Sequence, residues 1–493
     1  MKKIYGLLFG AAFLLIYFLV FRPLTSGFTL GESDEIIYMQ MAENFRNLHS
    51  PVFGGQPFYY DLPLYPLVAA GLSLLTGNFL FAVKLLSFLS VLLSAVLIFF
   101  YLKFKLGNSV PAFGAGLLFL FFPLVLYYGQ IGIIEPFLAF LLLAAAFTLD
   151  MAISQGSLRF AVLSGFLLGG SILTKYTGLI TYLFIGVCLF IRSLDWNRRL
   201  GWRDSLKVDR NSFLILALAT SVFLPVIIYF RIFDRENFTY QTGTIFGFWD
   251  KPSPVVFPAW FNWDNFSYWL TPVVCVLIFG GLFFFYRQRN LRLIFWLSLL
   301  TLTALMARPI FHLRYLYVVL PYAAIIISLL FWKISFHRRA LYLLILTVLL
   351  LYLAPYNVTA FASARHRLLE RSVAAVGLPR ADFNGFIFSN FWPNFYASLA
   401  RTDRASWLSD DNREVQAFYP KSENNSFELL QQYGGYVFVD KLYSQKIGHP
   451  EARLRALEKI KEEKTPLMIL SEEGPNFPFF RENLDTVTIY EYQ

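Results

Sequence analysis

Charge is scarce in this chain. Only 15% of its 493 residues are Asp, Glu, Lys or Arg, against about 25% for an ordinary soluble domain. That shortage excludes a wholly soluble protein. Cysteine is scarcer still, and both copies, Cys188 and Cys275, fall inside apolar runs. A disulfide framework or a cysteine-based metal site is therefore not expected. Ser-His-Asp, zinc and P-loop patterns are absent, as are internal repeats. The net charge of +10 does not imply nucleic acid, because Lys and Arg collect on the cytoplasmic loops of membrane proteins.

What the chain has is long apolar segments. About 20 such residues, rising 1.5 Å each, cross about 30 Å of hydrocarbon. The sequence predicts a mostly α fold, a polytopic membrane helix bundle of about eleven transmembrane helices. They lie near 4–22, 79–101, 110–128, 136–153, 160–174, 177–192, 212–231, 267–286, 291–306, 314–332 and 340–356. The first is read as a retained span, since its apolar run exceeds a signal-peptide core and lacks a clear cleavage site. Interfacial helices are expected at 34–49, where Ile37, Met41, Phe45 and Leu48 share a face, and from Leu64 to Thr76. The aromatic-rich segment 232–266 is expected as a large outer loop and a candidate flap.

From about residue 357 the composition becomes that of a soluble protein. Strands are expected at 385–390, 436–440, 466–470 and 486–492, and helices at 361–377, 424–433 and 449–464. The expected domains are 1–356, a transmembrane domain, and 357–493, a small extracytoplasmic α/β domain. Lys and Arg are about twice as frequent on one set of loops, which puts the N-terminus in the cytoplasm. An odd number of spans then puts the C-terminal domain outside, with Asp34 and Glu35.

Three groups of residues could carry chemistry. Asp34 and Glu35 follow Ser33 at a predicted helix start. They are either first-turn acids favoured by the helix dipole or, for Asp34, a general base for an attacking hydroxyl. Glu135 stands beside Pro136 among Ile133, Ile134 and Phe137. It is either another helix-start acid or a functional carboxylate, because an acid in apolar surroundings is costly unless paired or used. Asp34 and Glu135 together are also candidates for holding a divalent cation as a cofactor. Lys175, Arg308, His312 and Arg314 break the positive-inside trend on the outer face. They could bind phosphate, snorkel to the interface or pair with the acids.

The order of these features resembles the lipid-linked glycosyltransferases of the C superfamily, closest to the branch of protein O-mannosyltransferases and lipid A aminoarabinose transferases (families 39 and 83). The resemblance rests on Asp34-Glu35 followed by Tyr38, on YYDLPLYPLV at 59–68, on Glu135 in YYGQIGIIEPFLAFLLLAA, on ILTKYTGLI around Lys175 and on RYLYVVLPYAAIIISLL. It implies sugar transfer with inversion from a polyprenyl-phosphate donor to a hydroxyl on a glycan, lipid or protein acceptor. The implied setting is the outer face of a bacterial or archaeal membrane, among membrane lipids and without nucleic acid. Asp34 would be the base, with Glu35 and Glu135 shaping the acidic site. Lys175, Arg308, His312 and Arg314 would hold the donor phosphate, and Tyr38, Tyr60 and Asp61 would line the substrate. The chain departs from the family where Lys-Pro-Pro or His-Pro-Pro is usual, reading Asp61-Leu62-Pro63 instead. Lys175 or Arg308 would have to replace that cation. A transporter or flippase of a lipid-linked sugar is the alternative, since it too needs membrane acids and outer cations.

Overall fold

A computed structural model describes residues 33–48, 52–53, 56–59, 61–193, 210–247, 317–335, 338–353, 368, 371–378, 385–389, 405–407, 424–440, 451–473 and 484–492. The chain divides into two compact units. One comprises Met1–Ser26 and Phe58–Asn357, the other Gly27–Pro57 and Val358–Gln493. The spans expected at 4–22, 267–286 and 291–306 lie outside the described residues, as do Tyr60, Arg308, His312 and Arg314.

The second unit begins with α1 (Ser33–Leu48) and the short antiparallel pair β1 (Val52–Phe53) and β2 (Gln56–Pro57). The apolar spacing that predicts α1 also sets its buried face, since Ile37, Tyr38, Met41 and Ala42 are buried.

The first unit is helical. It runs α2 (Leu64–Thr76), α3 (Phe79–Leu106), α4 (Ser109–Phe121), α5 (Pro123–Tyr128), α6 (Ile134–Gln155), α7 (Leu158–Thr174), α8 (Thr177–Ser193), α9 (Arg210–Phe233), α10 (Arg235–Gly247), α11 (Leu320–Ile334) and α12 (Arg339–Leu353). Punctuation in the sequence explains several ends. Asn78 and Asn108 cap α3 and α4 by accepting from Phe81 and Val110 N–H, as short polar side chains do at N-caps. The span expected at 110–128 is two helices, because Phe122 adopts an extended backbone before Pro123, and a residue preceding proline is pushed out of the helical region. The segment expected as an outer loop from 232 contains α10 instead. The first hydrogen bond of α10 runs from Phe238 N–H to the carbonyl of Asp234.

Among the described residues, four stretches are long and apolar enough to cross a membrane: Phe79–Leu106, Ile134–Gln155, Phe213–Phe233 and Tyr317–Ile334. They are not equally enclosed. The most apolar stretch of Ile134–Gln155 is 72% buried and that of Phe213–Phe233 only 22%. Thus α6 lies among other helices, whereas α9 turns most of its surface outward.

Small residues and hydroxyls pack the bundle. Gly165 and Gly169 stand four residues apart on α7 against α9. A methyl group on Gly169 would lie 2.7 Å from Val222 Cβ and 2.9 Å from the Ala219 carbonyl oxygen. Such small-residue stripes let helix backbones approach closely in membranes. Elsewhere Ser328 of α11 donates to the Pro111 carbonyl of α4 at 2.7 Å and lies 2.7 Å from the Tyr342 hydroxyl of α12. That hydroxyl occupies the space a side chain on Gly114 would need.

The C-terminal part of the second unit holds β3 (Phe386–Ser389), β4 (Ala405–Trp407), α13 (Ser426–Tyr433), β5 (Gly435–Asp440), α14 (Glu451–Glu463), β6 (Met468–Glu473) and β7 (Leu484–Tyr492). These strands form one mixed sheet in the order β4-β3-β5-β7-β6. The β4–β3 and β3–β5 pairs are parallel, and β5–β7 and β7–β6 are antiparallel. Phe386, Phe388, Val437 and Val439 pack with Leu430 of α13 and Ile460 of α14 to form its core. Asn425 and Glu428 close a capping box at the start of α13. The alternating apolar pattern anticipated four of these strands. β4, a strand of three residues, was not anticipated.

Candidate active site

In the helical unit three of the expected site residues, Asp61, Glu135 and Lys175, come together. Thr174 ends α7, and Lys175 adopts an extended backbone (φ −156°, ψ 142°) that breaks the helix before α8 begins. The break aims the lysine sideways. Its ammonium donates to Glu135 Oε1 at 2.9 Å and lies 3.7 Å from Asp61 Oδ1. The carboxylates reach it from two other elements. Glu135 is in the first turn of α6, and Asp61 lies just ahead of α2. Glu135 is only 1% exposed and Lys175 8%, so the pair is largely withdrawn from water. Breaking such a pair would leave an uncompensated buried charge.

The breakpoint between α7 and α8 is tight. A side chain on Gly178 would lie 2.7 Å from the Ser171 carbonyl, so the turn that aims Lys175 depends on that glycine. Tyr176 packs with Tyr59, Leu62, Ile172, Phe223, Phe230 and Phe238 in one apolar cluster. Burial, and after it the Asp61 charge, push the Tyr176 phenol pKa well up, so this hydroxyl stays neutral.

Asp34 and Glu35 belong to the second unit and open α1 as expected. Both are buried, Glu35 completely. Exposed first-turn acids would satisfy the helix dipole equally well, so the dipole alone does not account for burying two adjacent carboxylates. Tyr38, one turn on, is also buried.

Tyr59 is the residue the sequence reading passed over. Its hydroxyl donates to Asp234 at 2.9 Å and its backbone N–H donates to Gln241 Oε1 at 2.5 Å. Its ring lies 4.9 Å from Phe230 and 5.5 Å from Phe238. The signal was weak: a tyrosine within YYDLPLYP and polar residues in a segment expected to be a loop.

Residues 56–229 match the family model described as dolichyl-phosphate-mannose-protein mannosyltransferase. That stretch contains Asp61, Glu135 and Lys175. The structure is similar to ArnT from Cupriavidus metallidurans bound to undecaprenyl phosphate, with a TM-score of 0.63 at 13% identity over 99% of this chain and 98% of that one. The chain shares its fold with that protein. The oligosaccharyltransferase AglB from Archaeoglobus fulgidus, in complex with an inhibitory peptide and a dolichol-phosphate, is also similar, with a TM-score of 0.52 at 14% identity over 89% of this chain and 70% of that one. No curated protein sequence matches the chain significantly. The resemblance drawn from Asp34-Glu35, Glu135 and the Lys175 turn agrees with the description of the family model that matches residues 56–229.

Among the described residues no group of three or more His, Cys, Asp and Glu side chains could hold a metal ion. The Lys175 ammonium already balances Glu135, and a divalent ion there would have to sit against it.

Proposed function

We propose that this chain is an integral-membrane glycosyltransferase that moves a sugar from a polyprenyl-phosphate donor to an acceptor hydroxyl at the outer membrane face, with inversion. The observation that carries the reading is the Lys175–Glu135–Asp61 cluster, inside the matched segment and on a fold shared with ArnT. A cation held between carboxylates at the end of membrane helices suits an anionic headgroup better than an apolar cargo. ArnT is bound to undecaprenyl phosphate and AglB to a dolichol-phosphate, which supports the same class of donor here.

In the proposed reaction the acceptor oxygen attacks the anomeric carbon on the face opposite the phosphate. The new C–O bond forms as the bond from C1 to the phosphate oxygen breaks, and its electron pair leaves with the polyprenyl phosphate. The acceptor proton passes to Asp34, the proposed base. Lys175 stabilises the charge gathering on the departing phosphate, joined by Arg308, His312 and Arg314. Glu35 and Glu135 shape the acidic surroundings, and Tyr38, Tyr60 and Asp61 line the substrate. The proposed orientation keeps the N-terminus in the cytoplasm and the C-terminal sheet outside, following the Lys and Arg distribution.

The test is to incubate purified protein in detergent with a polyprenyl-phosphate sugar and candidate acceptors, and to measure released polyprenyl phosphate. Release that depends on Lys175 supports the reading. Movement of intact donor across a vesicle membrane without release would replace it with transport.

A further inference from the structure

The helical unit contains a set of partly buried polar contacts that the proposed reaction does not use. Asp234 stands between α9 and α10. Its own N–H bonds back to the Phe230 carbonyl, and its carbonyl accepts the first hydrogen bond of α10. Its carboxylate accepts from the Tyr59 hydroxyl at 2.9 Å and from Asn237 Nδ2 at 3.1 and 3.3 Å. Two turns along α10, Gln241 accepts from the Tyr59 backbone N–H. Tyr59 is thus held by ring, hydroxyl and backbone, although it sits outside any helix or strand.

Two residues further on is Asp61, 3.7 Å from the Lys175 ammonium. At full extension two residues reach only about 7 Å, so fixing Tyr59 closely restricts where Asp61 can go. Leu62 and Tyr176 belong to the same apolar cluster as Tyr59, which ties the segment to the α7–α8 turn as well. We propose that Asp234 and Gln241 are positioning residues: by latching Tyr59 to α10 they set the Asp61 carboxylate against Lys175, and so set how strongly that lysine is held before an anionic headgroup arrives.

The inference presupposes, through the proposed function, that Lys175 meets the donor phosphate, but the latch is tested without any donor. Full-length protein in detergent is treated with an amine-reactive acylating reagent. Modification of Lys175 is read by peptide mass spectrometry against the exposed Lys461. Asp234→Ala, Gln241→Ala and Tyr59→Phe each remove one hydrogen bond made by Tyr59 and should raise Lys175 modification by about fivefold, the factor expected for losing one hydrogen bond. Asp234→Asn keeps an acceptor oxygen for the phenol and should match the wild type. Tyr59→Phe keeps the ring between Phe230 and Phe238, so it carries the test if Asp234→Ala fails to fold. Unchanged Lys175 modification in folded Tyr59→Phe overturns the latch. So does an equal rise in Asp234→Asn, which would mark general loosening. If the labelling order holds but wild-type protein releases no polyprenyl phosphate, the proposed reaction fails and the latch stands.

Discussion

Lys175 and Glu135, forty residues apart in sequence, meet at 2.9 Å in a site almost closed to water. Neither would be placed there alone: a buried ammonium or carboxylate costs several kcal/mol without a partner. Lys175→Met should therefore destabilise the protein by about 3–5 kcal/mol, since it takes the bonded cation away from the buried Glu135 carboxylate. Adding Glu135→Gln should recover most of that loss, while transfer stays abolished. Thermal unfolding in detergent checks the first two statements and polyprenyl phosphate release the third. A single Lys175→Met variant as stable as the wild type would show that the pair contributes little.

Asp34 makes the complementary prediction. Asp34→Asn keeps size and hydrogen-bonding capacity in a buried position, so folding and membrane insertion should survive. Transfer should fall by about 10²–10⁴, the usual contribution of a general base. Glu35→Gln should cost less, because its proposed role is to shape the site. A variant with Asn at position 34 and wild-type transfer rates would remove Asp34 as base.

Tyr59 gives a pH dependence. Burial, then its bond to Asp234, raises its phenol pKa well above 10. In the unfolded chain the phenol ionises near pH 10. Below that pH it is neutral in both states, and its contribution to stability is complete. Above it only the unfolded state gains from ionising, so the contribution is lost as pH rises towards the folded value. Tyr59→Phe should therefore show a shallower fall in melting temperature than the wild type between about pH 10 and 11. Parallel curves would mean the phenol is not held neutral.

Much of this fold was legible because membrane burial writes long, simple signals. The runs at 79–101, 136–153 and 212–231 became α3, α6 and α9, with ends shifted by a few residues, those of α3 and α6 running on to Gly107 and Gly156. The apolar spacing of Ile37 and Met41 gave α1, and Leu64–Thr76 matched α2 at both ends. α10 was hidden because aromatics and polar residues alternate there without a one-sided apolar face, so its helix depends on Tyr59 and on the end of α9. The site was legible in part. Lys175 and Glu135 stood out as charges in apolar surroundings, and pairing among the acids and cations was one of the readings their positions allowed. That Asp61 would be the second carboxylate was not legible. The same residue looked like a missing cation in the family stretch, and only the fold brings it to Lys175. Its partnership is set by Tyr59, whose polar contacts lie more than 170 residues away and leave no local pattern.

The α7–α9 contact extends the argument from local chemistry to the bundle. Gly165 and Gly169 allow α9 to lie against α7, and α7 ends at the turn that aims Lys175. A Cβ at Gly169 would come within 2.7 Å of Val222 Cβ and 2.9 Å of a backbone oxygen. The oxygen belongs to a helix backbone and cannot rotate away, so the two helices must separate. Gly169→Ala should cost about 1–3 kcal/mol, as overpacking does elsewhere, even though alanine is the better helix former. Gly71→Ala is the matched control. Its Cβ meets nothing within 4 Å on α2, so helix propensity alone should act and stabilise by up to about 1 kcal/mol. Opposite signs for the two substitutions, read as melting temperatures in the same detergent, are the expected result. If Gly169→Ala were also stabilising, the small-residue stripe would not be what holds α7 to α9, and the placement of Lys175 would have to rest on the α7–α8 turn alone.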